Sequence, residues 1–355
     1  MTDLLPGVSQ HTVRTDRLEL HVLTSGPEDG VPVVLLHGNL STSRFWEHLL
    51  PNAPEHLRFV VPDMRGFGRS ERAPLDATRG LRDWADDTRA LVRQLGIEQP
   101  VHLAGWSTGG AAVARYAIDH PTEVASLHLV DPVSPYGYGG VRRDGTPCAP
   151  DHAGSGAGSA NPELVQRLRD GDAGSASPFS VRNVLNGFYW HPDHWESRER
   201  EDLLVEEVLL TWVDDRGYPG DATASEHWPG FAPGPTGLLN ALSPRYCDWS
   251  GLVDLEPAPP VLWTRGSADL VVADDCPLEL GQLGRLGVVP GWPGEGAYPP
   301  QQMVTQTADV LGAYAAAGGH VETEVFEGSG HAPFVDAAGA WAARYWAFLD
   351  GVARR

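Results

Sequence analysis

The stretch that decides the fold runs from Val101 to Pro121. Val101-His102-Leu103-Ala104 leads into Gly105-Trp106-Ser107-Thr108-Gly109, and Gly110 through His120 follows before Pro121. The first four residues read as a short buried strand, and the last eleven as a helix closed by proline. A serine on the turn between them, with glycine two residues to either side, meets the requirements of a nucleophile elbow. On so sharp a turn the flanking residues must be small to avoid collision. The turn lifts the hydroxyl above the sheet at a helix N-terminus, where free N–H groups and a partial positive charge favour a developing anion.

Outward from the elbow the same rhythm repeats. Leu18–Thr24, Val31–Leu36, Phe59–Pro62 and Ala125–Val130 read as strands, several of them continuous apolar runs of the kind buried on both faces. Arg44–Leu50 has helical spacing. Leu81–Leu95 places Leu81, Trp84, Ala85, Thr88, Leu91, Val92 and Leu95 on one helical face, and Gly96 ends it. Short buried strands alternating with helices predict a parallel sheet with helices on both faces, an α/β fold. The rhythm breaks after Pro132. Tyr136–Asn161 reads as a long loop with mobility left open, followed by helical segments at Pro162–Arg169, Val181–Phe188 and Arg198–Trp212. It returns with a strand at Val261–Thr264, a helix at Met303–Ala317, a strand at Val321–Phe326 and a terminal helix at Ala338–Val352. Residues 133–256 therefore read as an insertion between two halves of one sheet domain, 1–132 and 257–355. Residues 276–300, rich in glycine and proline, read as an irregular loop over one edge of the sheet.

The 355 residues include 41% apolar and 21% charged side chains, a globular balance. All 26 basic residues are arginine against 47 acidic ones, a formal charge of −21. The absence of lysine excludes Schiff-base chemistry and a phosphate-loop lysine. The acidic balance argues against nucleic acid or an anionic membrane as partner. Cys148, Cys247 and Cys276 stand far apart and read as free thiols of a reducing cytosol. Met1–Asp16 lacks a basic start followed by an apolar run, and no apolar stretch reaches membrane-spanning length, so a cytoplasmic protein is expected.

A serine hydroxyl needs a base. Of the 14 histidines, His331 has the most suitable context: in Phe326-Glu327-Gly328-Ser329-Gly330-His331 a strand ends, a glycine turn follows, and the histidine precedes the last helix. The histidine needs an acid to hold its tautomer. Asp269 follows the strand Val261–Thr264 and gives the order Ser, Asp, His. Asp131 also ends a strand and competes for the role. All these positions lie at strand C-terminal ends, where open α/β sheets place ligands. His191 and His194 are weak metal candidates because Pro192 interrupts them, so no metal is expected.

Five stretches together resemble the α/β-hydrolase family: Leu36-His37-Gly38-Asn39; Asp63-Met64-Arg65-Gly66-Phe67-Gly68-Arg69-Ser70; Gly105-Trp106-Ser107-Thr108-Gly109-Gly110; Gly266–Val271; and Gly328–Phe334. The resemblance implies a mostly parallel sheet flanked by helices with an inserted, mainly helical cap, here 133–256. It implies an oxyanion hole from the backbone N–H groups of Asn39 and Thr108. Haloalkane dehalogenases and epoxide hydrolases of this family carry aspartate at the elbow. Here the residue is Ser107, although His37-Gly38-Asn39 is reminiscent of the dehalogenases. The HGGPG and GGSWG runs of proline iminopeptidases and the HGGG run of some lipases do not occur.

The expectation is a serine hydrolase acting on an ester, lactone or related acyl bond of a hydrophobic small molecule, with Ser107, His331 and Asp269 as catalytic residues. No cofactor is expected. Trp106, Phe188 and Trp190 are candidates to line the substrate site. The aromatic run Phe188-Tyr189-Trp190 with Trp195 fits either an apolar pocket wall or the insertion's own core. A carbon–carbon bond hydrolase or an acyltransferase on the same triad is a second reading. A hydrolase-like binding protein or receptor with little turnover is a third. Residues 276–300 follow the acid directly and are expected near the pocket mouth.

Overall fold

A computed structural model describes residues 3–191, 193–194 and 196–354. Eight strands form one sheet: β1 (Val8–Arg14), β2 (Glu19–Ser25), β3 (Val31–Leu36), β4 (Leu57–Pro62), β5 (Val101–Trp106), β6 (Val124–Val130), β11 (Val261–Gly266) and β12 (Val321–Phe326). Their order is β1-β2-β4-β3-β5-β6-β11-β12. From β4 to β12 every pairing is parallel, and β2 runs antiparallel to both β1 and β4. This is the α/β-hydrolase architecture expected from the sequence. Every residue of β5 is buried, His102 included, as expected of a strand covered on both faces.

Helices α1 (Arg82–Gln94), α2 (Thr108–Asp119), α8 (Met303–Ala316), α9 (Pro333–Asp336) and α10 (Ala338–Ala353) belong to the sheet domain. The buried face of α1 carries Trp84, Ala85, Thr88, Leu91 and Val92. It also buries Asp87, which accepts from Arg65 and Arg17, each at 2.6 Å. Arg44–Leu50, expected as one helical segment, resolves into two short 3-10 turns.

Between β6 and β11 lie α3 (Pro162–Asp170), α4 (Val181–Phe188), α5 (Arg198–Val208) and α6 (Leu238–Ala241). Two small sheets accompany them, β7 (Val213–Asp214) with β8 (Tyr218–Pro219) and β9 (Ala222–Ala224) with β10 (Phe231–Pro233). Glu207 of α5 is buried against the sheet domain, where it accepts two bonds from Arg69 (2.7 and 2.9 Å) and one from Thr42 (2.8 Å). The run 136–161 is irregular, as expected, apart from a 3-10 turn at Ala157–Ser159, and it is buried at 139–141 and 153–157. Gly139 N–H donates to Gln301 and Tyr138 N–H to the carbonyl of Leu242. Residues 276–300 contain a short helix, α7 (Leu280–Arg285), and pack on the insertion through Trp228 Nε1 to the Pro290 carbonyl (2.9 Å) and Tyr298 to the Ala153 carbonyl (3.3 Å). All three cysteines are free. Among the described residues no helix is long and apolar enough to cross a membrane.

Candidate active site

Ser107 stands between β5 and α2 at φ 55°, ψ −115°, a left-handed backbone that costs on the order of 1–3 kcal/mol and marks functional turns. The glycines around it are obligatory by contact. A Cβ at Gly105 would sit 2.1 Å from the Gly109 carbonyl oxygen, and one at Gly109 would sit 2.6 Å from the carbonyl oxygens of His37 and Leu36. The elbow is therefore wedged against the end of β3. Ser107 is 6% exposed, and α2 begins at the next residue.

His331 and Asp269 meet as the sequence order expected. His331 Nδ1 lies 2.8 Å from Asp269 Oδ2, both side chains being buried. The other carboxylate oxygen, Oδ1, accepts the N–H groups of Val271 (2.7 Å) and Val272 (3.1 Å). Three donors thus hold Asp269 in one orientation. Trp106 Nε1 donates to the His331 carbonyl at 2.7 Å, so the residue before the serine grips the histidine loop. Asp336 grips it from below: its carboxylate accepts from Ser329 Oγ, from Gly330 N–H (2.8 Å) and from His191 N–H (2.9 Å).

The two expected oxyanion donors sit on either side of the elbow. Thr108 N–H is the first of α2, and neither it nor Asn39 N–H is engaged by any described residue. A Cβ on Gly38 would lie 3.0 Å from Ser107 Cβ, which puts the peptide carrying Asn39 N–H beside the serine. The Gly38 carbonyl is clamped by His37 Nδ1 (2.7 Å) and Ser41 Oγ (2.8 Å). His37 Nε2 in turn accepts from Met64 N–H at 2.9 Å, which assigns the ring proton to Nδ1. In a trans peptide C=O and N–H point oppositely, so this clamp aims Asn39 N–H away from His37.

Trp106 is fully buried, its ring 5.4 Å from that of His331 and 5.1 Å from that of Phe334. It braces the site from behind. Trp190 is also buried, and its backbone lies against Gly330, where an added Cβ would come within 2.7 Å. Phe188 is half-buried at the end of α4. Trp195 lies outside the described residues, as does Pro192. Tyr189, named in the aromatic run but not among the candidate lining residues, also belongs to the site. Its hydroxyl donates to the Asn39 carbonyl at 2.8 Å, and its ring is 5.3 Å from Trp106 and 6.1 Å from His331. The run Phe188-Tyr189-Trp190 was the available signal. A surface cleft of about 610 Å³ formed by β12 and α10 contains none of these residues.

Asp131, the competing acid, also reaches the site. Oxygen atoms of Asp131 and Asp269 and a ring nitrogen of His331 all lie within 4.8 Å of one another. This is the one His/Cys/Asp/Glu cluster with metal-ligand spacing among the described residues. His194 instead pairs with Glu196 at 3.1 Å.

Residues 31–180 match the family model for the alpha/beta hydrolase fold. The chain is 35% identical over 136 residues to a cis-3-alkyl-4-alkyloxetan-2-one decarboxylase of Xanthomonas campestris, covering 36% of this chain and 45% of that protein. It is 32% identical over 136 residues to a fluoroacetate dehalogenase of a Burkholderia species (38% and 44%). It is 27% identical over 244 residues to the lipase LipV of Mycobacterium tuberculosis (69% and 75%). The first two matches span less than half of those relatives. Among solved structures, an esterase from Exiguobacterium antarcticum superposes with a TM-score of 0.60 at 18% identity, over 96% of this chain and all of that one. E-2-(acetamidomethylene)succinate hydrolase does so with 0.56 at 18% (97% and 99%). With the sheet order and the strained turn after β5, these matches define the class: the chain has the α/β-hydrolase fold.

Proposed function

We propose that the protein is a serine hydrolase that cleaves an ester or lactone of a hydrophobic small molecule through an acyl-enzyme. The observation that carries this reading is the buried His331–Asp269 pair, tied through Trp106 to a serine in a strained elbow. Ser107 Oγ attacks the acyl carbon while its proton passes to His331 Nε2. Asp269 stays ionised and fixes the Nδ1–H tautomer. The N–H groups of Asn39 and Thr108 receive the oxyanion, each worth on the order of 3–4 kcal/mol. His331 then protonates the leaving group, and a water activated by the same ring releases the acid.

Acyl chemistry agrees with the names of two relatives, one a lipase and one acting on an oxetan-2-one, which is a cyclic ester. The dehalogenase match does not redirect the reading, because the elbow residue here is serine. Phe45, Tyr189 and Phe334 supply an apolar surround. The segment 133–256, pinned through Glu207, acts as the cap. A fluorophosphonate probe is expected to label the wild-type protein and not Ser107→Ala. An unlabelled wild type, together with no turnover across a panel of esters and lactones, would refute the assignment.

A further inference from the structure

One buried titratable group has no part in the proposed reaction. Asp131 ends β6 at φ 38°, a left-handed backbone in a residue other than glycine, and is 2% exposed. Its N–H is bonded to the Thr264 carbonyl at 2.9 Å, so the strained residue is anchored to β11. Strain of this kind persists where the surroundings over-determine it, typically at functional sites. The side chain points at the triad. Oδ1 accepts from Gly266 N–H at 3.1 Å, while Oδ2 is buried with no donor among the described residues.

The groups facing it are few. Asp269 and His331 lie within 4.8 Å, and Arg265 acts on it at longer range while its own guanidinium turns to the Gly266 carbonyl. Around Asp269 the remaining titratable neighbours are Tyr138 and Cys276, which bond to each other at 3.1 Å. Among the described residues no arginine forms an ion pair with either carboxyl. Two buried carboxylates that meet in this way repel one another and leave Oδ2 without a donor. A single proton on Asp131 removes both problems. We infer that Asp131 is a positioning residue, a neutral carboxylic acid that accepts from Gly266 N–H and donates its O–H to Asp269. Burial, reinforced by the Asp269 carboxylate, holds the Asp131 carboxyl well above the usual carboxylate range. The consequence is a graded site. His331 faces one charged acid whose electron density is drawn off by a neutral donor behind it, which makes the imidazolium less favoured than beside a bare carboxylate. The inference rests on the triad reading for its use, but its physical content can be measured without turnover.

The test follows the titration midpoint of the His331 ring by NMR in the Ser107→Ala background. It adds Asp131→Asn, which reproduces the acceptor and donor of a neutral acid, and Asp131→Ala, which removes the donor. The midpoint is expected to hold in Asp131→Asn and to rise by about one pH unit in Asp131→Ala. A fall in Asp131→Asn would mean that a negative charge had been removed and would overturn the proposal. An unmoved midpoint in Asp131→Ala would reduce Asp131 to space-filling and overturn it equally. Should the alanine variant not fold, the infrared difference between wild type and Asp131→Asn at neutral pH decides. Loss of a protonated-carboxyl C=O band is expected, and its absence sinks the idea. Failure of fluorophosphonate labelling would count against the hydrolase reading alone and leave these two measurements standing.

Discussion

The indole Nε1 of Trp106 donates to the backbone carbonyl of His331 at 2.7 Å, joining the end of β5 to the histidine loop 225 residues further along the chain. The bond spans the two halves of the sheet domain and sets the histidine loop relative to the elbow, because Trp106 is the residue immediately before Ser107. Both groups are buried, so the bond has no water to replace it. Trp106→Phe would keep an aromatic ring but leave the His331 carbonyl unpaired, at a cost of about 1–3 kcal/mol. Urea unfolding is expected to show that loss. Steady-state kinetics on an ester are expected to show kcat lowered roughly 10- to 100-fold with KM little changed, since a small misplacement of a base is enough. A kcat equal to wild type would mean that the histidine is placed without the indole.

Asp269→Asn is the sharper probe of the acid. The amide oxygen can still take the N–H groups of Val271 and Val272, so the loop is expected to hold its shape. The amide nitrogen would then face His331 Nδ1 and impose the wrong tautomer. Turnover is expected to fall by about 10⁴-fold with a melting temperature near wild type, and fluorophosphonate labelling should slow in parallel. Wild-type rates in this variant would show that Asp269 is not the acid that His331 uses.

The sheet and the residues proposed as the triad were legible because each left a local mark. Val31–Leu36 and Val321–Phe326 are strands with the bounds expected, and Val181–Phe188 is a helix with the bounds expected. Edge strand β1 left no such mark. Its residues are mostly exposed and polar, and only Val8 and Val13 lean on the core. The helix beginning at Arg198 stops at Val208 rather than Trp212, because tertiary bonds capture the chain. Thr211 Oγ1 turns back to the Val208 carbonyl, and Trp212 N–H bonds to Gly66. Periodicity cannot report such captures. The same holds for Tyr189 and Asp336, whose roles depend on loops more than a hundred residues away in one case and on a neighbouring turn in the other. Asp131 was visible as a competitor to Asp269. The sequence posed the two as alternatives, whereas the fold brings both to one histidine.

Tyr189 connects the insertion to the Asn39 loop, the loop proposed to receive the oxyanion, so its hydroxyl and its ring are separable. Tyr189→Phe keeps the ring against Trp106 and His331 and removes the bond to the Asn39 carbonyl. A lost neutral hydrogen bond is worth about 1 kcal/mol, or roughly fivefold. That loss is expected in kcat with an unchanged KM, since it acts on the loop proposed to receive the oxyanion. A rise in KM with kcat intact would assign the hydroxyl to substrate binding instead.

The pH dependence of stability should carry the signature of buried neutral histidines. Burial lowers His102 to about 4, and burial aided by the Arg200 charge lowers His48 to about 4. Unfolded, both would titrate near the ordinary histidine value of about 6.5. Above that value neither state is protonated and the two residues contribute no pH slope. As pH falls through the window from about 6.5 to 4 the unfolded chain takes up protons that the folded one refuses, so stability drops. The drop amounts to roughly 3 kcal/mol for each residue by the lower end of the window. His102 sits on β5 with Nδ1 beside Ser126 Oγ at 2.7 Å and takes no part in the proposed reaction, which makes it the cleaner test. In urea titrations at pH 7, 5.5 and 4.5, His102→Gln is expected to lose less stability on acidification than wild type. Equal slopes in the two proteins would show that His102 is protonated in the folded state and that burial does not hold it neutral.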